Sequence, residues 1–314
     1  VTISGVESFP SEGEVWYTTV RSRQLNVWTW LEARFDPDDD VVNEVSVRQG
    51  QTAEESRVCS QAMMRFSQSN ATIVALSLLG YDVLTPTGSG VERVYDGSAA
   101  DGIITCDDVI VAINGEPVLA AGDAVDIIRA LAPGDIVELA LESIDGSERT
   151  ERIALGDDGN GNPLLGIRPQ TRFDQNDLDL SISIDTGQTG GPSAGLAFAL
   201  TILDALTEGE LVGVQDVAVT GTIRLDGSVG NVGGVRQKVI AAREGGAAAF
   251  ILPRQIRCAD LVDPGEDCFY DDEWAAIEES AEDLPIFEVT SVFDALAVLE
   301  ELGGDPLPSV EPAP

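Results

Sequence analysis

The spacing of hydrophobic and polar positions changes several times along the chain, and each change predicts a different element. Residues 14–35, with the segments EVWYTTVRS and LNVWTWLEA, alternate apolar and polar side chains and predict strands. The charged stretch DPDDD at 36–40 predicts a loop. Thr52 and Glu55 have the spacing of a capping box, which predicts a long helix that ends at Gly80.

From about residue 81 to 157 the pattern changes to short strands and turns. It predicts a small, mainly-β domain. The predicted elements are a strand that ends at Asn114-Gly115, a helix over Asp123–Leu131 that Pro133-Gly134 ends, and a hairpin of Ile136–Glu142 and Arg149–Leu155 across Asp145-Gly146.

The last part of the chain contains one predicted strand and three predicted helices. The extended segment Leu180–Ile184 leads through a glycine-rich turn to Ser193, which opens a nearly all-apolar helix. Val235, Lys238, Val239 and Ala242 fall at i, i+3, i+4 and i+7, so they share one apolar helix face between two Gly-Gly pairs. An amphipathic helix over Val292–Leu302 and a disordered tail at 304–314 are predicted beyond it.

The net charge argues against one class of partner, nucleic acid. The chain has 55 acidic and 18 basic residues, a formal net charge of −37 and no histidine. Such an acidic protein is not expected to bind nucleic acid, which requires basic patches. The longest apolar run, Ala194–Leu203, is far shorter than the roughly 20 residues that span a bilayer. Since Val1 opens the sequence with no signal-like segment, any membrane contact is expected through an N-terminal anchor that has been removed.

The four cysteines allow three disulfide pairings. Cys258 and Cys268 flank a Pro-Gly loop that a disulfide could close, and Cys59–Cys106 is the complementary pair. Cys59 also shares a helix face with apolar residues, so a buried core thiol is the alternative there. Disulfides favour an extracytoplasmic compartment. Without histidine or closely spaced cysteine pairs, neither a metal nor another cofactor is predicted.

Lys238 is the only lysine in the chain, so 17 of the 18 basic residues are arginines. Its place on an apolar face predicts a buried amine, and burial lowers a lysine pKa until the neutral form can act as a general base. Ser193, at the start of a buried helix, is the candidate nucleophile, with an ordinary helix N-cap as the alternative. The absence of histidine excludes a Ser-His-Asp triad and leaves a Ser–Lys dyad.

Three motifs resemble the proteolytic domain of Lon-type serine peptidases. They are GPSAG at 191–195, TGTIRLDG at 220–227 and GGVRQK at 233–238. The resemblance implies Ser193 as nucleophile, Lys238 as base and Thr220 as the residue that supports the lysine. Gly191, Ser193 and Ala194 are the candidate donors of an oxyanion hole.

One position departs from the Lon pattern, because Gly190 stands where Lon commonly has an acidic residue. In this respect the chain is more similar to the ATP-independent, PDZ-containing Lon-type peptidases of bacterial envelopes. Since the chain also lacks a G-x-x-x-x-G-K-[ST] phosphate loop, no ATP motor is predicted.

The resemblance implies an α/β (α+β) peptidase fold interrupted by an inserted domain. Residues 1–80 would form its N-terminal part, 81–157 a PDZ-like domain and 160–303 the main peptidase domain. The expected function is an ATP-independent serine endopeptidase on the extracytoplasmic side of a bacterial membrane. It would cleave unfolded or flexible polypeptides, and the PDZ-like groove would recruit their tails. A non-catalytic peptide-binding scaffold and a self-processing peptidase are the alternatives, and a homo-oligomer is left open.

Overall fold

The computed structural model describes residues 1–36, 38–48, 51–81, 85–174, 180–256, 258, 268 and 270–308, with the backbone alone at Val45, Ser46 and Asp174. In chain order the helices and strands are β1 (Thr2–Ser4), β2 (Val15–Tyr17), α1 (Val27–Phe35), α2 (Glu44–Arg48), α3 (Ala53–Leu78), β3 (Thr85–Val94), β4 (Asp108–Ile113), β5 (Glu116–Pro117), α4 (Ala121–Arg129), β6 (Ile136–Ser143), β7 (Glu148–Ala154), β8 (Gly156–Asp157), β9 (Pro163–Leu164), β10 (Ile167–Asp174), β11 (Ser181–Ser183), α5 (Gly195–Leu206), β12 (Val217–Val219), β13 (Thr222–Ile223), β14 (Val229–Gly230), α6 (Val235–Gly245), β15 (Ala249–Pro253), α7 (Asp271–Ala281), β16 (Ile286–Val289) and α8 (Val292–Glu301).

The chain divides into two compact units. The first unit comprises Val1–Val41, Ser67–Asp82 and Asp179–Pro314, and the second comprises Val42–Phe66 and Val83–Leu178. The division falls within α3, so the first part of this helix belongs to the second unit and its last part to the first.

The first unit is built on a parallel sheet with the strand order β16-β15-β12-β2. Strands β12 and β15 are buried along their whole length, as expected for a parallel sheet that is covered on its faces. Helix α6 packs Val235 and Val239 against Phe250 of β15 and Ile277 of α7. Helix α5 is almost wholly buried, and its Phe198 ring contacts Tyr17 edge-on at 5.5 Å between centroids.

The second unit is an antiparallel sheet with the strand order β10-β3-β4-β6-β7. Ala124 and Ile128 of α4 and Ala62 of α3 join its apolar core. The predicted turn at Asn114-Gly115 is present, with both residues at positive φ, and the hairpin across Asp145-Gly146 pairs β6 with β7. This unit is larger than the predicted 81–157, because β10 pairs with β3. Strand β10 therefore belongs to the second unit, although it falls in the range 160–303 that was predicted to be peptidase.

The strand predicted at LNVWTWLEA is wrong, because those residues form α1. Asn26 starts the helix, since its side chain accepts hydrogen bonds from the backbone N–H groups of Trp28 and Thr29 at 2.9 and 3.0 Å. Val27, Trp28 and Phe35 are among the exposed side chains of α1, so the apolar pattern does not mark a buried sheet face.

Other predictions of local structure are confirmed. Thr52 and Glu55 form the capping box of α3, with Thr52 N donating to Glu55 Oε2 at 2.8 Å and Glu55 N to Thr52 Oγ1 at 3.2 Å. Both predicted disulfides, Cys59–Cys106 and Cys258–Cys268, are present, so Cys59 is not a free core thiol.

The predicted disordered tail, 304–314, is ordered at its start. Gly304 N donates to Leu299 O at 2.9 Å, and Asp305 N donates to Glu210 O at 2.8 Å. Residues 309–314 lie outside the described part of the chain. Within the described residues, no helix combines the length and the apolar character that crossing a membrane requires.

Candidate active site

The loop before α5 places Ser193 two residues ahead of the helix. Gly191 has φ +89°, in the left-handed region that glycine favours, and it turns the chain toward Pro192 and Ser193. Gly195, the first helical residue, is held so closely that an added Cβ would lie 2.8 Å from both Ile223 Cγ2 and Ser67 Oγ. The small residues of GPSAG therefore let the serine approach its neighbours.

Two other elements bring polar groups to this loop. Thr220 follows β12 directly and is fully buried. Helix α6 starts at Gly234, which has φ +65° as the helix N-cap, and carries Lys238 in its first turn. The predicted apolar face is observed, because Val235, Lys238, Val239 and Ala242 are all buried.

The structure brings the three predicted residues Ser193, Thr220 and Lys238 within hydrogen-bonding distance. Lys238 Nζ donates to Ser193 Oγ at 2.8 Å and to Thr220 Oγ1 at 2.9 Å. Thr220 Oγ1 in turn donates to the backbone oxygen of Ser193 at 3.1 Å. Thr220 thus connects the lysine to the backbone of the serine, and its own hydroxyl is used as both acceptor and donor.

Burial lowers the pKa of Lys238 from its ordinary 10.5 to about 8. The lysine is only 3% exposed. Among the described residues no carboxylate forms an ion pair with it, so no nearby negative charge raises the pKa again. A larger fraction of this amine is therefore neutral near neutral pH than in an ordinary lysine, and the neutral form can accept a proton.

The hydroxyl of Ser193 does not cap α5. The N-cap is Ala194, and no side-chain cap is formed there. The alternative of an ordinary serine N-cap is therefore wrong, because the Ser193 hydroxyl is hydrogen-bonded to the lysine instead.

Backbone N–H groups beside Ser193 are left without acceptors. Within the described residues, the N–H groups of Gly191, Ser193 and Ala194 donate no hydrogen bond. The neighbouring carbonyl of Ser193, by contrast, accepts from Gly221 N at 2.8 Å. Unpaired donors beside a nucleophile can stabilise a developing oxyanion, which is the role predicted for these three residues from the sequence.

Helix α3 contributes three site residues that were not predicted from the sequence. Ser67 Oγ donates to Pro192 O at 2.9 Å, Gln68 Nε2 donates to Ile184 O at 3.2 Å, and Asn70 Nδ2 donates to Ile223 O at 3.1 Å. The signal in the sequence was a cluster of polar side chains in the half of α3 that is otherwise apolar. Their partners are backbone carbonyls, which leave no pattern in the sequence.

Two segments of the chain match known protein families. Residues 165–266, which include Ser193, Thr220 and Lys238, match the family described as the Lon protease (S16) C-terminal proteolytic domain. Residues 90–143 match the PDZ domain family. The chain contains a Lon-type proteolytic domain and a PDZ domain. The resemblance to a Lon-type proteolytic domain, the PDZ domain and the fold class expected from the sequence are thereby confirmed.

Curated relatives match over part of their length. Lon protease 2 of Thermus thermophilus is 40% identical over 120 residues, which make up 38% of this chain and 14% of that protein. The Lon protease of Malacoplasma penetrans is 32% identical over 139 residues, 43% of this chain and 17% of that protein. The chain thus spans less than a fifth of the length of either relative.

A solved structure is similar to part of the chain. It is the PDZ domain of the SdrC-like protein from Listeria monocytogenes, 25% identical, covering 26% of this chain and 87% of that one with a TM-score of 0.25. The assignment of a PDZ domain to this chain rests on the family match at residues 90–143.

Proposed function

We propose that this chain is a serine endopeptidase in which Ser193 is the nucleophile and Lys238 the general base. The observation that carries the proposal is the 2.8 Å contact between Lys238 Nζ and Ser193 Oγ. Buried amines with a lowered pKa and nucleophiles within hydrogen-bonding distance of a base are the two features that such chemistry needs. Both occur at this one point of the chain, inside the Lon-type match.

In the proposed mechanism, neutral Lys238 accepts the hydroxyl proton while Ser193 Oγ attacks the carbonyl carbon of the scissile peptide. The carbonyl oxygen becomes an oxyanion that the free N–H groups of the 191–194 loop stabilise. Lys238 then gives its proton to the leaving amine, and an acyl-enzyme ester forms. Water hydrolyses this ester with the lysine again as base, which returns Ser193 to its starting state. Thr220 holds the amine toward Ser193.

We propose that the substrates are unfolded or flexible polypeptides and that cleavage needs no ATP. Cleavage of a peptide bond requires an extended segment of substrate, and local unfolding or a disordered terminus supplies one. The support for ATP independence is that this chain has no phosphate-loop motif, and that its only lysine hydrogen-bonds Ser193 and Thr220.

Cleavage of an unstructured quenched-fluorescence peptide, with and without ATP, tests these proposals. Ser193→Ala should abolish turnover, whereas Ser181→Ala, the same change at an exposed serine of β11, should leave it unchanged. A fluorophosphonate should label the wild-type chain at Ser193. Turnover that survives in Ser193→Ala would falsify the mechanism. No cleavage by the wild-type chain would favour the scaffold, and cleavage of its own chain alone would favour self-processing.

For the PDZ domain we propose a role in recruiting substrate tails. Its strand β10 lies at the end of the described sheet, and α4 packs beside β10 and β3. PDZ domains bind an extended peptide by adding it to a sheet edge. A captured tail would raise the concentration of the attached segment near Ser193, to millimolar order for short tethers.

Competition is a cleaner test of recruitment than deletion, because removing 81–157 would take β3 away from β10. The whole chain is assayed on two substrates that share one cleavage sequence, one with an unstructured tail and one without it. Recruitment predicts a lower KM for the tailed substrate, and free tail peptide should inhibit its cleavage alone. Equal KM values for both substrates would remove the support for recruitment.

An extracytoplasmic location is the remaining proposal. Its support is that both cysteine pairs of the structure are disulfides, which persist in oxidising compartments. Thiol alkylation in intact cells should leave all four cysteines unmodified until a reductant is added. Ready modification before reduction would contradict this location.

A further inference from the structure

Ser67 is a buried polar residue that hydrogen-bonds the residue before the nucleophile. It belongs to the part of α3 within the first unit and is only 3% exposed. Its hydroxyl donates to the carbonyl oxygen of Pro192, the residue immediately before Ser193, at 2.9 Å. The mechanism proposed above gives this serine no role.

The two peptide groups that flank the Cα atom of Ser193 are both held by their carbonyls. Ser67 holds the carbonyl of Pro192, while Thr220 Oγ1 and Gly221 N hold the carbonyl of Ser193 at 3.1 and 2.8 Å. A trans peptide is planar, and its N–H points opposite to its C=O. The Pro192 carbonyl therefore fixes the direction of the Ser193 N–H, and the Ser193 carbonyl fixes that of the Ala194 N–H.

These two N–H groups are among those that donate no hydrogen bond within the described residues. Each is thus aimed by a bond on the far side of its own peptide plane. An oxyanion hole works because its donors are oriented before charge develops, so they need not reorganise during the reaction.

We infer that Ser67 is a positioning residue that orients the Ser193 N–H for the oxyanion of the transition state. The inference rests on the proposed peptidase function and adds a residue to it. Ser67 acts through the Pro192–Ser193 peptide group, and Thr220 and Gly221 act in the same way on the next one. The other carbonyl contact of Pro192, from Gly195 N, is long at 3.4 Å, which leaves Ser67 as the stronger donor.

Neighbouring side chains of α3 also hydrogen-bond segments near the Ser193 loop. Gln68 Nε2 also donates to Thr186 Oγ1 at 3.2 Å, and Asn70 holds the carbonyl of Ile223, whose side chain packs against Gly195. These bonds fix segments on either side of the nucleophile. Ser67 differs from them because its acceptor shares a peptide plane with a candidate oxyanion donor.

Three variants separate the hydrogen bond from packing. Ser67→Ala removes the donor, and Ser67→Cys fills similar volume with a weak donor. Ser77→Ala is the matched control, since it makes the same change at an exposed position of the same helix in the same unit. Removing an oxyanion donor outright costs about 10²–10³ in kcat, so loosening one is expected to lower kcat about tenfold in both Ser67 variants.

The measurements are kcat and KM on the unstructured peptide, the affinity for a peptide aldehyde, and the number of active sites by titration. The aldehyde forms a tetrahedral adduct with Ser193 that carries the oxyanion, so its affinity should fall in step with kcat. KM, the active-site count and the apparent pKa of the pH–rate profile should stay at wild-type values. A merely structural role would instead reduce the active-site count.

Wild-type kcat in Ser67→Ala, or in Ser67→Cys alone, would overturn the inference, as would a loss confined to the active-site count or KM. These results differ from failure of the proposed function, in which wild-type cleavage would not depend on Ser193. Ser193-dependent cleavage, with kcat and aldehyde affinity reduced together in both Ser67 variants and unchanged in Ser77→Ala, is the expected result.

Discussion

The pH dependence of cleavage should report the pKa of Lys238. The perturbation is pH itself, between about 6 and 10, together with two substitutions of the lysine. Burial lowers the pKa of Lys238 to about 8, and only the neutral amine can accept the Ser193 proton. The rate should therefore rise with pH as the amine loses its proton.

The expected magnitude follows from the two pKa values. With a pKa of about 8, about 9% of the lysine is neutral at pH 7, against about 0.03% at its ordinary value of 10.5. The buried position thus supplies about 300 times more base at neutral pH. Below pH 8 the rate should increase about tenfold per pH unit, and it should level off above the pKa.

The assay is kcat/KM for an unstructured peptide, because this parameter reports the pKa values of the free enzyme. Lys238→Arg should be inactive at every pH, since a guanidinium stays protonated. Lys238→Met, which has no basic group, should be equally inactive. A rate that is level from pH 6 to 10, a rate that still rises steeply at pH 10, or turnover by the arginine variant would refute the assignment of Lys238 as base.

Two further predictions concern stability. The folded-state pKa of Lys238 lies below its unfolded value, so the free energy of unfolding should rise by about 3 kcal/mol as pH increases from about 8 to 10.5. Lys238→Met should lack this rise and should be the more stable protein at pH 7. Denaturant unfolding of both proteins would test these two expectations. The disulfides close loops of different length, with sequence separations of 47 and 10. In the chain-entropy model, losing Cys59–Cys106 should lower the free energy of unfolding by about 4 kcal/mol and losing Cys258–Cys268 by about 3 kcal/mol. Thermal unfolding of variants with both cysteines of one pair changed to serine tests this order. An equal or reversed effect would contradict it.

Local signals in the sequence were enough to predict the parts of the fold that local interactions decide. The capping box of α3 and the glycines that bound α6 each lie within a few residues of the structure they set. The neighbourhood of Ser193 and Lys238 was predicted from the order of three motifs together with the resemblance. The structure places those atoms 2.8 Å apart across a separation of 45 residues.

Long-range pairings explain what the sequence did not predict. Strand β10 was assigned to the peptidase segment because nothing local marks its partner, whereas Arg172 on β10 contacts Glu142 and Thr87, which are 30 and 85 residues away. Helix α1 was missed because aromatic and β-branched side chains favour a strand, yet the Asn26 cap decides otherwise. Ser67 was missed because its acceptor is a backbone carbonyl, which any residue carries.

The presence of a lysine at position 238, and at no other position of this chain, has a chemical explanation. Arginine fills all 17 other basic positions, and it provides charge and ion pairs as well as lysine does. At position 238 the side chain must lose its proton, which arginine does not do. The site also keeps carboxylates out of ion-pairing range among the described residues, although the chain has 55 acidic side chains. Because a nearby carboxylate would raise the pKa of Lys238 and keep its amine protonated, this local neutrality is as necessary to the proposed chemistry as the lysine itself.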